Sequence, residues 1–264
     1  MSVFLLITST TFIIYALVLN ENGIMGSLRE AKYYEDAYEQ LRYTIGDRLM
    51  PTGLPNSIID DAFTIDVVYA DLNDYVTSMF ANDLPDIQRD SIEEIVNYNI
   101  DYFLLTEVNL SRTEVGYEVI DDIVEVIIDH YNDYVSPFFI SYIARVSNVL
   151  ENHLQLLIAT GLIGMLVTMG ILYLVNRHFK DLIFRYLAFS FGAAALMMII
   201  LPLILRIWGG YRRLMITPEF AFNFTVTHIE RTISLFLLVG VTFIAFNLIL
   251  ISISARLNKK LSQV

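Results

Sequence analysis

The chain has 264 residues, of which 55% are hydrophobic, and it carries a formal net charge of −12 and no cysteine. Its mean hydropathy of +0.54 exceeds that of ordinary soluble proteins. The lack of cysteine excludes disulfides, thiol catalysis and thiolate metal sites. We therefore start from a membrane protein stabilised by helix packing.

Four apolar runs cover residues 3–19, 154–176, 186–205 and 232–254. Each is long enough, at 1.5 Å per residue, to cross a hydrocarbon core of about 30 Å. No Lys or Arg precedes the first run and no small-residue cleavage site follows it, so we interpret it as a retained anchor. The sequence predicts an all-α integral membrane protein whose segments are a first span (1–20), an acidic helical domain (21–153), a second span (154–176), a short loop (177–185), a third span (186–205), an interfacial loop (206–231), a fourth span (232–254) and a tail (255–264).

Charge is distributed very unevenly along the chain. Residues 21–153 hold 26 of the 29 acidic and 7 of the 17 basic residues, a balance of −19. Basic residues lie in the short loop and in the tail, so the positive-inside tendency favours cytoplasmic N and C termini with 21–153 outside. The layout is typical of a multi-pass protein of a bacterial plasma membrane. A domain this acidic repels nucleic acid and anionic lipid, and we expect neither to bind it.

Helices separated by breaks are predicted within the acidic domain. Ser27 and Glu30 have capping-box spacing for a helix over 28–49, and Thr64 is the predicted cap of a later helix. Pro137 can open a helix that continues without a break into the second span, as far as Asn176.

A single helix over 112–135 is the most informative prediction in this domain. At 100° per residue its acidic side chains fall within one arc, whereas Val119, Val126 and Tyr131 lie on the other side. On the simplest interpretation, the arc is a solvated surface. On the alternative interpretation, it is a docking face for cations or for a basic partner. Its members are Glu114, Glu118, Asp121, Asp122, Glu125, Asp129 and Asp133.

The predicted spans contain no charged side chain, which argues against proton relays, voltage sensors and many ion-coupled transporters. Small or amide side chains occur where helices could pack closely, and the candidate packing residues are Gly161, Gly164, Gly192, Gly240 and Asn247. Aromatic and basic residues follow the third span, and the candidate interfacial residues are Trp208, Tyr211, Arg212 and Arg213.

No catalytic, cofactor-binding or metal-binding motif is present in the sequence, and we expect neither enzymatic activity nor a cofactor. Asp66, Asp71 and Asp74 could bind a divalent cation weakly, although they lack the spacing of a calcium loop.

Two functional hypotheses lead, and a signal-sensing or immunity-type protein stays open beside them. The first is a non-enzymatic accessory or scaffold subunit that presents the acidic domain to another membrane or envelope protein, or to a second copy of itself. The alternative is an oligomeric ion channel in which the acidic domain forms a vestibule that concentrates cations. Both place the chain in the lipid bilayer and depend on protein–protein interaction.

Overall fold

The computed structural model describes residues 1–85 and 87–261, with side chains described as far as residue 258. The fold is 87% helical, and its described residues contain no strand. The helices are α1 (Ser2–Ile13), α2 (Glu21–Glu30), α3 (Tyr33–Leu49), α4 (Ser57–Asp60), α5 (Ile65–Ala81), α6 (Arg89–Phe103), α7 (Arg112–Val115), α8 (Tyr117–Val135), α9 (Phe138–Asn176), α10 (Lys180–Trp208) and α11 (Glu219–Leu261). Turns of π-helix extend α1 to Val18 and α6 to Val108.

The chain divides into two compact units. The first, which we call the apolar unit, contains Met1–Ile24, Ser147–Ile216 and Thr225–Val264. The second, the acidic unit, contains Met25–Val146 and Thr217–Phe224. Helices α9 and α11 each contribute residues to both units.

The acidic unit has a conventional hydrophobic core. The core is built from the apolar faces of α3, α4, α5, α6 and α8. Within it the rings of Phe63 and Tyr131 stack at 5.1 Å, and both residues are fully buried. A separate aromatic cluster places Tyr33 edge-on to Phe220 at 4.9 Å, while Phe224 stacks on Phe139 at 5.1 Å. Residues 217–224 therefore belong to the acidic unit's packing.

Local signals explain where several helices begin and end. Thr64 caps α5 as predicted, since its hydroxyl accepts from the Val67 N–H at 3.3 Å. The predicted helix over 28–49 is wrong at its start, because Ser27 lies buried inside α2 and α3 begins only after Lys32, which adopts a φ of +55°. The uninterrupted helix after Pro137 is confirmed by α9.

The predicted helix over 112–135 is two helices. Gly116 adopts a φ of +100°, which a side chain would disfavour, and it separates the single turn of α7 from α8. The Ser111 backbone N–H donates to the Glu114 carboxylate at 2.6 Å in a capping box that opens α7. Glu114 is thus a capping residue outside α8.

Three helices of the described chain are long and apolar enough to cross a membrane: α9, α10 with the turn that follows it, and α11. A fourth crossing is possible if α1 and α2, which are bent by 63° at their junction, count as one span. The described chain accordingly has three or four helices that could span a membrane, which is consistent with a multi-pass membrane protein.

Close helix contacts in the apolar unit occur at glycines. A Cβ added to Gly161 would lie 2.1 Å from the Thr8 Oγ1, and one added to Gly164 would lie 2.6 Å from the Phe4 ring. These contacts hold α1 against α9.

The same pattern joins α10 to α11. A Cβ on Gly192 would lie 2.4 Å from the Asn247 Nδ2, and one on Gly240 would lie 2.5 Å from Ile199. Because all four glycines meet another helix of the same chain, their neighbours would have to move to admit any side chain.

Candidate interaction surface

The acidic row predicted on α8 is exposed along its whole length. Glu118, Asp121, Asp122, Glu125, Asp129 and Asp133 are all exposed, and so is Glu114 on α7. The opposite side of α8 enters the core through residues such as Ile120, Val124 and Ile128. Val119 and Val126, expected on the packing side, are instead 52% and 45% exposed, so the outer surface of α8 is acidic and partly apolar.

Arg112 joins this row to a second set of polar groups on α6. Its guanidinium donates to the Asp121 Oδ1 at 2.7 Å, to the Asn97 Oδ1 at 2.8 Å and to both Asp101 oxygens at 3.4 Å. One arginine therefore draws carboxylates from two helices together. Since its side chain is only 19% exposed, it supports the surface from beneath.

Helical spacing extends the cluster in both directions. Glu94 lies one turn before Asn97 and two turns before Asp101 on α6, and Glu118 and Glu125 lie one turn on either side of Asp121 on α8. We call this surface the α6–α8 acidic face, and it consists of Glu94, Asp101, Glu118, Asp121 and Glu125. Arg112 pairs with two of its five carboxylates, Asp101 and Asp121, so the face has a net negative charge.

Exposed aromatic side chains lie beside these carboxylates on α6. Tyr98 and Tyr102 are 67% and 61% exposed, and their rings stack at 6.4 Å. Leu105, also 61% exposed, continues the stripe at helical spacing. Tyr98 lies one turn from both Glu94 and Asp101, so aromatic and acidic groups alternate along this helix.

The two tyrosines also form one wall of a groove of about 360 Å³. Its lining also includes Ser57, Ile58 and Asp61 at α4 and Glu107 after α6. The Asn99 amide donates to the Ile58 carbonyl at 2.8 Å and holds α4 against α6. The groove therefore has a fixed floor, exposed aromatic rings and carboxylates at its edges.

The weak cation site suggested for Asp66, Asp71 and Asp74 is not formed. Asp71 is 1% exposed, and its carboxylate accepts from the Tyr131 hydroxyl at 2.5 Å and from the Gln88 N–H at 3.2 Å. Burial, and then the bond to Asp71, raise the pKa of Tyr131 well above its usual range. No group of three or more metal-ligating side chains occurs among the described residues.

Two of the four predicted interfacial residues, Tyr211 and Arg212, contact one acid of α11. Arg212 binds Glu230 through its Nε at 3.0 Å and its Nη2 at 2.5 Å, and the Tyr211 hydroxyl donates to the same oxygen at 3.5 Å. Trp208 and Arg213 are exposed, whereas Tyr211 is buried. The interfacial role of these four residues stays a prediction, as does the packing role of the small residues.

The sequence contained signals for the part of the surface that the prediction missed. Glu94, Tyr98, Asp101 and Leu105 recur at spacings of four, three and four residues, which places them on one side of a helix. The participation of Arg112 could not be foreseen, because it depends on how α6 and α8 pack.

Comparison of the chain with protein-family models, curated proteins and solved structures finds no match. The geometry of the chain is thus the only basis for assigning a function.

Proposed function

We propose that the chain is a four-span protein of a bacterial plasma membrane that acts as a non-enzymatic accessory or scaffold subunit. In this proposal the acidic unit lies outside the membrane and binds a basic protein partner through the α6–α8 acidic face. The observation that carries the proposal is the bridge made by Arg112, which brings carboxylates of α6 and α8 together beside exposed tyrosines.

The charge distribution supports this orientation. Arg177 lies between α9 and α10, Lys180 and Arg185 lie in the first two turns of α10, and Arg256 lies near the end of α11. Positive residues of short loops and tails are retained on the cytoplasmic side. With these ends inside, the first end of α9 lies outside together with residues 25–146 that precede it, and a crossing by α1 then puts the N terminus inside. A charge balance of −19 over 21–153 suits an aqueous compartment.

The chemistry of the face specifies the kind of partner. Carboxylates at fixed positions attract Lys and Arg, and tyrosine rings beside them add cation–π contacts of about 0.5–1 kcal/mol at exposed sites. Tyrosine is also enriched among residues that dominate binding energy. A second copy of this chain would bring like charges together, so the partner we propose is a different protein with a basic, partly apolar surface.

The channel alternative has less support from the spans. Hydroxyls on the exposed sides of the apolar helices bond to carbonyls of their own helix, as Thr160 does to Leu156, Ser190 to Tyr186 and Thr242 to Leu238. They present no ordered row of ion ligands. Ring-shaped particles in detergent together with ion flux in liposomes would favour the channel over the accessory subunit.

Matched triple variants of α8 test the proposed face. Glu118→Gln/Asp121→Asn/Glu125→Gln removes three charges from the α6–α8 acidic face. Asp122→Asn/Asp129→Asn/Asp133→Asn removes three charges from the outer row of the same helix. The tagged full chain is purified in mild detergent from its own cells after in-cell crosslinking, and crosslinked proteins are quantified by mass spectrometry.

We expect one discrete partner with wild type and with the outer-row variant, and at least about a tenfold loss with the face variant. Binding should also weaken as salt rises, because the Debye length falls to about 3 Å at 1 M. Equal recovery with both variants would contradict the face. A chain that stays a lone monomer and captures no specific protein would contradict the whole proposal.

A further inference from the structure

The apolar unit contains a groove that the proposed function leaves unused. It lies between α1, α10 and α11, and its volume is about 850 Å³. The lining is almost entirely aliphatic, with Leu6 and Val18 from α1, Leu196 and Leu201 from α10 and Phe236 from α11 among its members. This volume is within the range of sites that enclose one small ligand.

The groove opens sideways. Its rim side chains on α10 are largely exposed, with values of 58% for Leu196, 61% for Met197 and 66% for Leu201. Pro202 also lines it, and a proline inside a helix removes a backbone hydrogen bond and bends the axis. Because α10 is a candidate span, lipid is the medium that meets this opening.

Positively charged residues adjoin the groove lining along the chain. His228 and Leu205 line the groove, and Arg206 directly follows Leu205 on α10. Arg231 lies less than one turn after His228, and its guanidinium donates to the Gly23 carbonyl at 3.2 Å. Two further arginines belong to the turn after α10. We call the set of four the arginine collar, and its members are Arg206, Arg212, Arg213 and Arg231.

Acidic residues offset only part of this charge. Glu230 pairs with Arg212, and Glu21 begins the adjoining helix α2. Four arginines against two glutamates leave a positive balance. Arg206 and Arg213 are exposed, and among the described residues neither forms an ion pair. Arginine binds phosphate oxygens through two parallel N–H donors, which makes the collar suited to a phosphate group.

We infer that this groove binds one anionic phospholipid of the surrounding bilayer, with its acyl chain between α1, α10 and α11 and its phosphate on the arginine collar. The site lies wholly within the apolar unit. It depends on that unit's being in a membrane and is independent of any partner of the acidic unit. The positive-inside tendency assigns this end of the spans to the outside, where four arginines are not expected. A bound phosphate would explain their presence there.

A lipid fits the groove better than another helix does. Helices pack closely in membranes where one of them has small residues. Gly161, Gly164, Gly192 and Gly240 already contact other helices of this chain. The rim of the groove has leucine, isoleucine and methionine instead, whose flexible side chains adapt to an irregular chain.

Native mass spectrometry of the full chain in mild detergent provides the test. The chain is mixed with phosphatidylglycerol or with phosphatidylcholine of identical acyl chains. We expect one phosphatidylglycerol per chain, retained about tenfold better than phosphatidylcholine, because both lipids carry the phosphate but the choline cation of phosphatidylcholine is repelled by the arginines.

Two variants probe the two ends of the site. Ala193→Leu fills the groove, since Ala193 lines it and is exposed, and Ala245→Leu makes the same enlargement on an exposed part of α11 outside the groove. Arg206→Gln/Arg213→Gln removes two collar charges, and Arg177→Gln/Arg185→Gln removes two at the opposite end of the spans. We expect each site variant to lower lipid retention by about fivefold to tenfold. Each control variant should leave lipid retention unchanged.

Equal retention of the two lipids, or equal retention by the site variants and their controls, would overturn the inference. So would a dimer that dissociates on Ala193→Leu, because a second copy would then occupy the groove. Loss of partner capture by variants of the α6–α8 acidic face would leave this test untouched, and the two proposals can therefore fail separately.

Discussion

The two units of this protein are built from the same kind of helix but place their apolar side chains oppositely. In the acidic unit, α3, α5, α6 and α8 bury their apolar faces in a common core, and their carboxylates are exposed. In the apolar unit, only 6% of the most apolar stretch of α9, 33% of that of α10 and 6% of that of α11 are buried. Such surfaces are stable only where lipid replaces water.

The difference shows where each unit obtains its stability. The acidic unit depends on the hydrophobic effect and on close packing, because water surrounds it. The apolar unit gains little from moving a leucine between lipid and protein, so contacts at glycines and satisfied backbone groups hold it together. Mutations of similar size should therefore have very different effects in the two units.

The largest difference is expected for removal of a big side chain. Phe63→Ala deletes a fully buried ring stacked on Tyr131 and should destabilise the acidic unit by about 3–5 kcal/mol. Leu166→Ala deletes a side chain that is 70% exposed on α9, where lipid fills the space, and should change stability by less than about 0.5 kcal/mol. Thermal unfolding of the purified chain, followed by circular dichroism, compares them. Equal losses would show that the two units share one mode of stabilisation.

A smaller effect is expected from adding a methyl group between helices of the apolar unit. Gly161→Ala places a Cβ against the hydroxyl of Thr8, a branched side chain with few alternative rotamers, and should cost about 1–3 kcal/mol. Gly170→Ala is the control, because no atom lies within 4 Å of a Cβ there. The same unfolding measurement applies. A cost at Gly170 as large as at Gly161 would mean that backbone conformation, and not helix contact, decides the result.

The smallest effect concerns pH and is confined to the acidic unit. Burial raises the pKa of Tyr33 and Tyr131 above the ordinary value of 10.0. Their folded-state pKa exceeds the unfolded one, so the stabilisation is complete below about pH 10 and is lost as pH rises above it. The slope is roughly 1.4 kcal/mol per pH unit for each such tyrosine.

Alkaline unfolding followed by tyrosinate absorbance measures this slope. Tyr131→Phe should lower the slope by the contribution of one tyrosine, roughly 1.4 kcal/mol per pH unit. Tyr98→Phe, on the exposed surface of α6, should leave it unchanged. A slope that Tyr131→Phe does not alter would show that this tyrosine does not contribute to the alkaline transition.

Periodicity and composition predicted most of the architecture. Apolar runs too long for a soluble helix marked α9, α10 and α11, and Thr64 marked the start of α5 through a cap that acts within one turn. The errors arose where backbone conformation was decisive. Lys32 and Gly116 adopt positive φ values that divide segments read as single helices, and neither the charge pattern nor the apolar spacing changes at those positions.

The candidate surface was only half predictable for a similar reason. The row on α8 follows from one helix and its spacing. The α6–α8 acidic face combines residues of two helices that lie 17 to 31 positions apart in sequence. Arg112 joins Asp101 to Asp121 where Val96 and Val124 pack in the common core. Such contacts depend on tertiary packing, which local patterns do not encode.

The contrast between the two units has a direct test in the labelling of single cysteines, for which this chain offers a cysteine-free background. Ser91→Cys reports on the exposed start of α6, Met215→Cys on the turn before α11 and His178→Cys on the loop between α9 and α10. A membrane-impermeant thiol reagent is applied to intact cells and then to permeabilised cells. We predict that positions 91 and 215 react in intact cells and that position 178 reacts only after permeabilisation. Labelling of 178 without 91 in intact cells, or of 91 and 178 from the same side, would contradict an acidic unit outside the membrane.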